Sequence, residues 1–250
     1  MDINNEIDNK SDNINKKDNK DYEINNKNEI TITLKIEQAD VNKEIYFLDN
    51  TNKYIEKNKS PHGYLSELNN DNTELFIDEN KVNYQKYFVP PYEGNFEIKL
   101  KFNTFLKDCS YMFYYCQNII KIDFSCFKSH NITNMNNMFC YCTKLSELNL
   151  SSFNTENVTN MSYMFSYCTN LEKIVLSSFN TKNVIDMKNM FLLCNKLSYI
   201  DISSFVASPK LNNDLMFDRC RNIKHINLKK NFKDIFLKDM DIRGIEIEYL

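Results

Sequence analysis

The sequence predicts an α/β repeat solenoid of about five 26-residue strand–turn–helix units, fronted by a small β-rich α+β module. Three observations carry this. Met-Phe pairs recur at Met112-Phe113, Met138-Phe139, Met164-Phe165, Met190-Phe191 and Met216-Phe217, always 26 residues apart. Cysteine keeps the same interval at Cys116, Cys142, Cys168, Cys194 and Cys220. Aliphatic residues follow at Ile119, Leu145, Leu171, Leu197 and Ile223, and phenylalanine at Phe127, Phe153, Phe179 and Phe205. Independent columns that share one gap-free period define a repeat.

One unit, LSELNLSSFNTENVTNMSYMFSYC from Leu145 to Cys168, assigns a role to each part. Leu148 and Leu150 alternate with Glu147, Asn149 and Ser151, the pattern of a short half-buried strand. Ser152, Asn154, Thr155 and Asn157 supply turn chemistry. Met161, Met164, Phe165 and Cys168 stand at i, i+3, i+4 and i+7, one face of a short helix, with Thr159 ahead of it as N-cap. A lone unit buries too little apolar surface to offset its ordering entropy, so the units must stack.

The pattern LxxLxL with a polar turn and a helix resembles leucine-rich repeats. The fuller string MFxxCxxLxxLxLSSFNTxNVTxM resembles the 26-residue repeat of the BspA-like surface-protein family, most closely over 138–187 and more loosely over 109–228. That resemblance implies a surface adhesin that binds host matrix.

The flanks complete the organisation. Of residues 1–28, 21 are Asn, Asp, Glu or Lys, a leader expected to be disordered because it can bury so little. Residues 29–102 read as a β-rich module that caps the solenoid, in the order ββαβββ of a β-grasp-like fold. Ile30, Ile32, Leu34 and Ile36 alternate as a strand with Glu44–Leu48 as hairpin partner, and Tyr64, Leu65 and Leu68 suggest a short helix after Pro61. A second hairpin turns at Asp78-Glu79-Asn80. Phe96 and Ile98 share the 26-residue register of Ile122 and Phe124, so FEIKLKF is expected to be the solenoid's first strand. Residues 103–228 form the solenoid, and 229–250 a C-terminal cap in which Ile235, Phe236, Leu237, Ile242, Ile245 and Ile247 cover the open core.

Composition narrows the function. Lys+Arg 31 against Asp+Glu 34 leaves a net charge of -3, which lacks the basic excess that nucleic acid requires. Only 3 glycines argue against phosphate-cradling loops. No apolar stretch is long enough to span a membrane, and MDINNEIDNKSDNINKKDNK has no signal-peptide core, so a cytoplasmic location is expected, with export by a non-classical route as the alternative. The repeat cysteines read as buried reduced thiols. Neighbouring helices would hold them about 8–10 Å apart, beyond the roughly 7 Å that a disulfide bridges. His62, His130 and His225 share no metal-ligand spacing and the carboxylates form no acid–base pair, so neither metal, cofactor nor enzymatic activity is expected. Asn131, Asn157 and Asn183 suggest a hydrogen-bonding ladder along the turns.

The surface left for function is the exposed strand face. Its columns are Lys121, Glu147, Lys173, Tyr199 and His225, then Asp123, Asn149, Val175, Asp201 and Asn227. Side chains here vary while the core columns hold, as in repeat proteins that bind extended partners. The reading is a monomeric, non-enzymatic protein-interaction module or adaptor with an unknown protein partner, at Lys121, Asp123, Glu147, Asn149, Lys173, Val175, Tyr199, Asp201 and His225.

Overall fold

The computed structural model describes residues 27–51 and 65–249. Residues 1–26 of the expected 1–28 leader, His62, and the start of the short helix after Pro61 lie outside the described residues, and Asn28, at the leader's end, is held by a hydrogen bond from its Nδ2 to the carbonyl of Thr104. Leu65 and Leu68, which the same helix was to contain, are buried in a turn.

Alternating burial makes β1 (Glu29–Ile36) a strand with Ile30, Ile32, Leu34 and Ile36 inside. It does not pair with β2 (Ile45–Tyr46), which joins β5 (Tyr87–Phe88) instead. β1 runs antiparallel to β6 (Gly94–Phe102) on one side and to β7 (Ile119–Asp123) on the other. The β1–β2 hairpin behind the β-grasp comparison is therefore absent. β3 (Thr73–Ile77) and β4 (Asn80–Val82) form the second hairpin, turning through Asp78 and Glu79 at positive φ. β6, carrying FEIKLKF, lies between β1 and β3 and pairs with no repeat strand. The shared 26-residue register correctly reported which of its side chains are buried, but β1 occupies the place beside β7.

From β7 to β11 the strands recur in parallel steps of 26 residues, and the last step, to β12, is 21. β8 (Glu147–Asn149) pairs with β7. β9 (Lys173–Val175), β10 (Tyr199–Asp201), β11 (His225–Leu228) and β12 (Glu246–Tyr249) pair in series. On the opposite side, parallel bridges link Asp108, Asn134, Asn160, Asp186 and Asn212. Between these two lines of contact lies the core. The rings of Phe113, Phe139, Phe165, Phe191 and Phe217 stack with centroids 5.2–5.5 Å apart and planes within 7°.

The expected α/β solenoid with a helix in every unit is not what forms. From residue 65 to 249, the one α-helix among the described residues is α1 (Lys233–Phe236), beyond the repeat. The segments expected to be helical are successive tight turns, so the structure is mostly strand and turn. Two residues per unit adopt the left-handed conformation: Tyr111, Asn137, Tyr163, Asn189 and Leu215, then Tyr115, Tyr141, Tyr167, Leu193 and Arg219, at φ of 53–64°. Each reverses the helical sense one turn after the last, so no α-helix can propagate.

The donors alternate accordingly. The N–H groups of Met161, Tyr163, Phe165 and Tyr167 reach the carbonyls of Asp186, Lys188, Met190 and Leu192 in the next unit, at 2.7–2.9 Å. Those of Met164, Ser166 and Cys168 return to carbonyls three residues back. Met161, Met164, Phe165 and Cys168 are still buried together. Helical spacing thus identified the inward face, while the main-chain hydrogen bonds run across the units rather than along them. Thr159 caps no helix; its hydroxyl donates to the carbonyl of Thr133.

The two ends of the turn ladder differ. At the first unit, the N–H groups of Asp49 and Asn50 occupy the carbonyls of Met112 and Tyr114. At the last unit, Phe236 and Leu237 close the core, and Ile242, Ile245 and Ile247 pack against it half-buried. Ile235, expected to join them, is exposed.

Candidate functional site

The strand face is interrupted at one seam. β8 ends one sheet and β9 begins the other, with no ladder between them. Elsewhere the N–H of Leu176 reaches Asp201 and that of Ile202 reaches Asn227. Across the seam the turn side stays joined, because Met135 donates to Asn160 and Thr169 Oγ1 to Thr143. The opening is therefore confined to the strand side. Two adjoining depressions of about 440 and 310 Å³ follow it, sharing Leu148, Asn149 and Val175 as walls.

Two of the apolar residues lining this groove, Leu148 and Val175, depart from their columns. Ile122, Ile174, Ile200 and Ile226 are buried, whereas Leu148, the one leucine among them, is half-buried. β-Branched side chains suit a strand better than leucine does. Leu148, expected to be hidden, thus opens to solvent. In the next column, Asp123, Asn149 and Asp201 each turn a side-chain oxygen onto the main-chain N–H two residues on, at 2.9–3.1 Å. Val175 cannot do this, and 43% of it is exposed.

The remaining face residues hold one another. Lys121 Nζ lies 3.3 Å from Glu147 Oε2, between side chains more than half exposed, so the pair adds little stability. Lys173 Nζ sits 4.5 Å above the Tyr199 ring, and the Tyr199 hydroxyl accepts a hydrogen bond from Asn227 Nδ2 at 2.9 Å. His225 Nδ1 is 2.7 Å from Glu246 Oε2. Of the nine residues expected to bind, Lys121, Asp123, Glu147, Asn149, Lys173 and Val175 surround the groove; Tyr199, Asp201 and His225 lie beyond it.

The thiols occupy another environment. The Sγ atoms of Cys142, Cys168, Cys194 and Cys220 donate to the carbonyls of Phe113, Phe139, Phe165 and Phe191 in the preceding unit, at 2.8–3.1 Å. Burial pushes the pKa of Cys116, Cys142, Cys168 and Cys194 well up. These thiols are free. The separation first offered against disulfides does not hold, since rings stacked at 5.2–5.5 Å bring the units closer than packed helices. Among the described residues, no three His, Cys, Asp or Glu side chains gather as a metal site, and no helix is long and apolar enough to cross a membrane.

Asn157 and Asn183 donate to the carbonyls of His130 and Glu156 in the preceding unit, rather than to each other. In the adjacent column, sequence reasoning took Thr155 only as turn chemistry and missed Thr181. Thr155 and Thr181 are buried; each hydroxyl accepts from the next unit's main-chain N–H at 2.8 Å and donates to its carbonyl. Their recurrence at a 26-residue interval was the available signal.

No curated protein and no solved structure matches this chain. A family model described as "Mycoplasma protein of unknown function, DUF285" matches residues 107–231, which takes in β7 to β11 and the seam. That match covers half of the 250 residues, and the chain belongs to this family.

Proposed function

We propose that the protein is a non-enzymatic interaction module that accepts an extended segment of a partner protein along the β8–β9 seam. The observation that carries this reading is the coincidence of two features at one place: two facing strand edges without a shared ladder, and two apolar side chains, Leu148 half-buried and Val175 exposed, where their columns are otherwise buried or polar. Unpaired strand edges offer alternating N–H and C=O groups that an extended chain can match, while side-chain pockets select its sequence. Lys121, Lys173, Glu147 and Asp123 ring the groove with both signs of charge, which favours a partner of mixed charge over a polyanion.

Selection of extended peptides from a random display library tests this. Selected peptides should lose at least about tenfold in affinity with Val175→Glu and keep it with His225→Ala, as expected when an apolar anchor is replaced by a charge. Failure to enrich any peptide, or binding indifferent to Val175→Glu, overturns the proposal. We assign the module to the cytoplasm, where its reduced thiols would persist. The resemblance of its 26-residue string to BspA-like surface proteins supports a second reading, matrix binding at the cell surface. Protease shaving of intact cells separates the two, since only a surface protein is digested.

A further inference from the structure

We propose that the C-terminal end of the turn ladder is a second binding site, specific for a carboxylate carried by a peptide. Polarity of the ladder makes this end unlike the other. Each unit donates N–H groups forward and accepts through its carbonyls from behind, so the last unit presents donors with no following unit to receive them. Phe191 and Leu193 donate to Met216 and Asp218, but among the described residues the N–H groups of Phe217 and Arg219 have no acceptor. Both residues line a depression of about 470 Å³.

The ladder already shows what satisfies such a donor. The N–H of Leu215, next in the same row, is taken by a carboxylate, Asp239 Oδ2 at 3.0 Å. A second carboxylate from outside can do for Phe217 and Arg219 what Asp239 does for Leu215.

Choice of basic residue points the same way. Of the 31 lysines and arginines in the chain only three are arginine, Arg219, Arg221 and Arg243, and all three line this depression, which contains no lysine. Elsewhere the chain uses ammonium groups. A guanidinium differs in offering a planar fork that grips a carboxylate with two parallel hydrogen bonds. Arg243 demonstrates that grip internally on Asp241, with Nη2 2.6 Å from Oδ2 and Nε 2.9 Å from Oδ1. Arg219 is loosely placed 3.7 Å from Asp218 with its side chain 62% exposed, and Arg221 has no ion pair among the described residues. These two are the groups available to a ligand. Met240 and Ile245 supply an apolar floor for the methylenes of a glutamate.

Three aspartates, Asp218, Asp239 and Asp241, also line the depression. They balance the three arginines in formal charge, which leaves recognition to the guanidinium forks and free N–H groups and disfavours a doubly charged phosphate.

Fluorescence anisotropy with two labelled peptides tests the site on the full chain. One is an amidated tetraglutamate; the other has neutral side chains and a free C-terminal carboxylate. Binding of the first assigns the ligand to acidic side chains, and binding of the second alone assigns it to a chain terminus. In either case the Arg219→Lys/Arg221→Lys double variant, which keeps both charges on exposed positions, should weaken binding about tenfold, while Val175→Glu leaves it unchanged. The proposal is overturned by absence of binding for both peptides at millimolar concentration, by full affinity in the double lysine variant, by loss of binding with Val175→Glu, or by tighter binding of inorganic phosphate than of either peptide.

Discussion

The Sγ of Cys168 donates to the main-chain oxygen of Phe139 across a unit boundary, at 3.1 Å. The same oxygen also receives the N–H of Cys142, so it is not orphaned when the thiol is removed. Cys168→Ala should therefore cost only about 1–2 kcal/mol, the sum of a weak hydrogen bond and a small void. Urea unfolding of the variant measures this; a cost above about 4 kcal/mol would mean that the thiol does something more than bridge two units.

Alkali should unfold the protein through these same groups. Burial raises the thiols of Cys109, Cys116, Cys142, Cys168 and Cys194 well above the ordinary 9.0. Cys140, raised to about 12, and Tyr114, raised to about 12, add to the effect. Below the unfolded value both states keep the proton, and the contribution to stability is fully present. Above it the unfolded chain releases protons that the folded chain retains, so stability falls as pH rises. Each thiol removes about 1.4 kcal/mol per pH unit in that window. Urea midpoints measured on either side of pH 9 should fall only on the alkaline side, and a thiol reagent at neutral pH should reach the half-buried Cys126 before any of the buried ladder.

Two substitutions to glycine at left-handed positions should have opposite signs. Leu215 (φ 54°) is 46% exposed, so Leu215→Gly relieves a strained backbone and loses little packing. A gain of about 0.5–1 kcal/mol is expected. Tyr167 (φ 61°) has the same backbone, but its ring stacks on Tyr141 with centroids 4.1 Å apart. Tyr167→Gly should lose about 1–2 kcal/mol, because the aromatic contact outweighs the relief. Thermal melts of the two proteins decide, and destabilisation by both would show that the left-handed strain is negligible.

Leu148→Ile tests the origin of the seam. A β-branched residue there would complete the isoleucine column, and hydrogen exchange should slow at the main chain of β8 and β9 as the ladder closes. Stability should rise by less than about 1.5 kcal/mol, since the swap conserves volume. Unchanged exchange would place the cause of the opening outside Leu148.

How far the sequence could be read follows from what a hydrophobic pattern reports. It marks which side chains turn inward, and every Met, Phe and Cys column assigned to the interior lies there, except that Cys220 in the last unit is half-buried. The pattern does not report where the main-chain hydrogen bonds go. Met161, Met164, Phe165 and Cys168 would be spaced identically on a helix and on two linked tight turns. The left-handed residues that distinguish the two are Tyr163 and Tyr167, and only glycine or asparagine would have announced such a position. Asn137 and Asn189, alternating with Tyr163 in one column, were the faint clue. The groove was partly legible. Val175 stood out against Asp123, Asn149 and Asp201, but the gap between β8 and β9 depends on how two whole units meet. Insertion of β1 beside β7 was likewise invisible, because an antiparallel neighbour buries the same alternate side chains as a parallel one.

Because Asp49 and Asn50 close the first row of carbonyls independently of how many rows follow, and the residues after 229 fit the last row alone, length is the one dimension of this molecule that can change without redesign. An in-frame duplication of 26 codons within the repeat would lengthen the molecule by one layer and leave both lids in their original surroundings. Relatives of different size could then arise by simple copying, each with the same start, the same finish and a different number of storeys between.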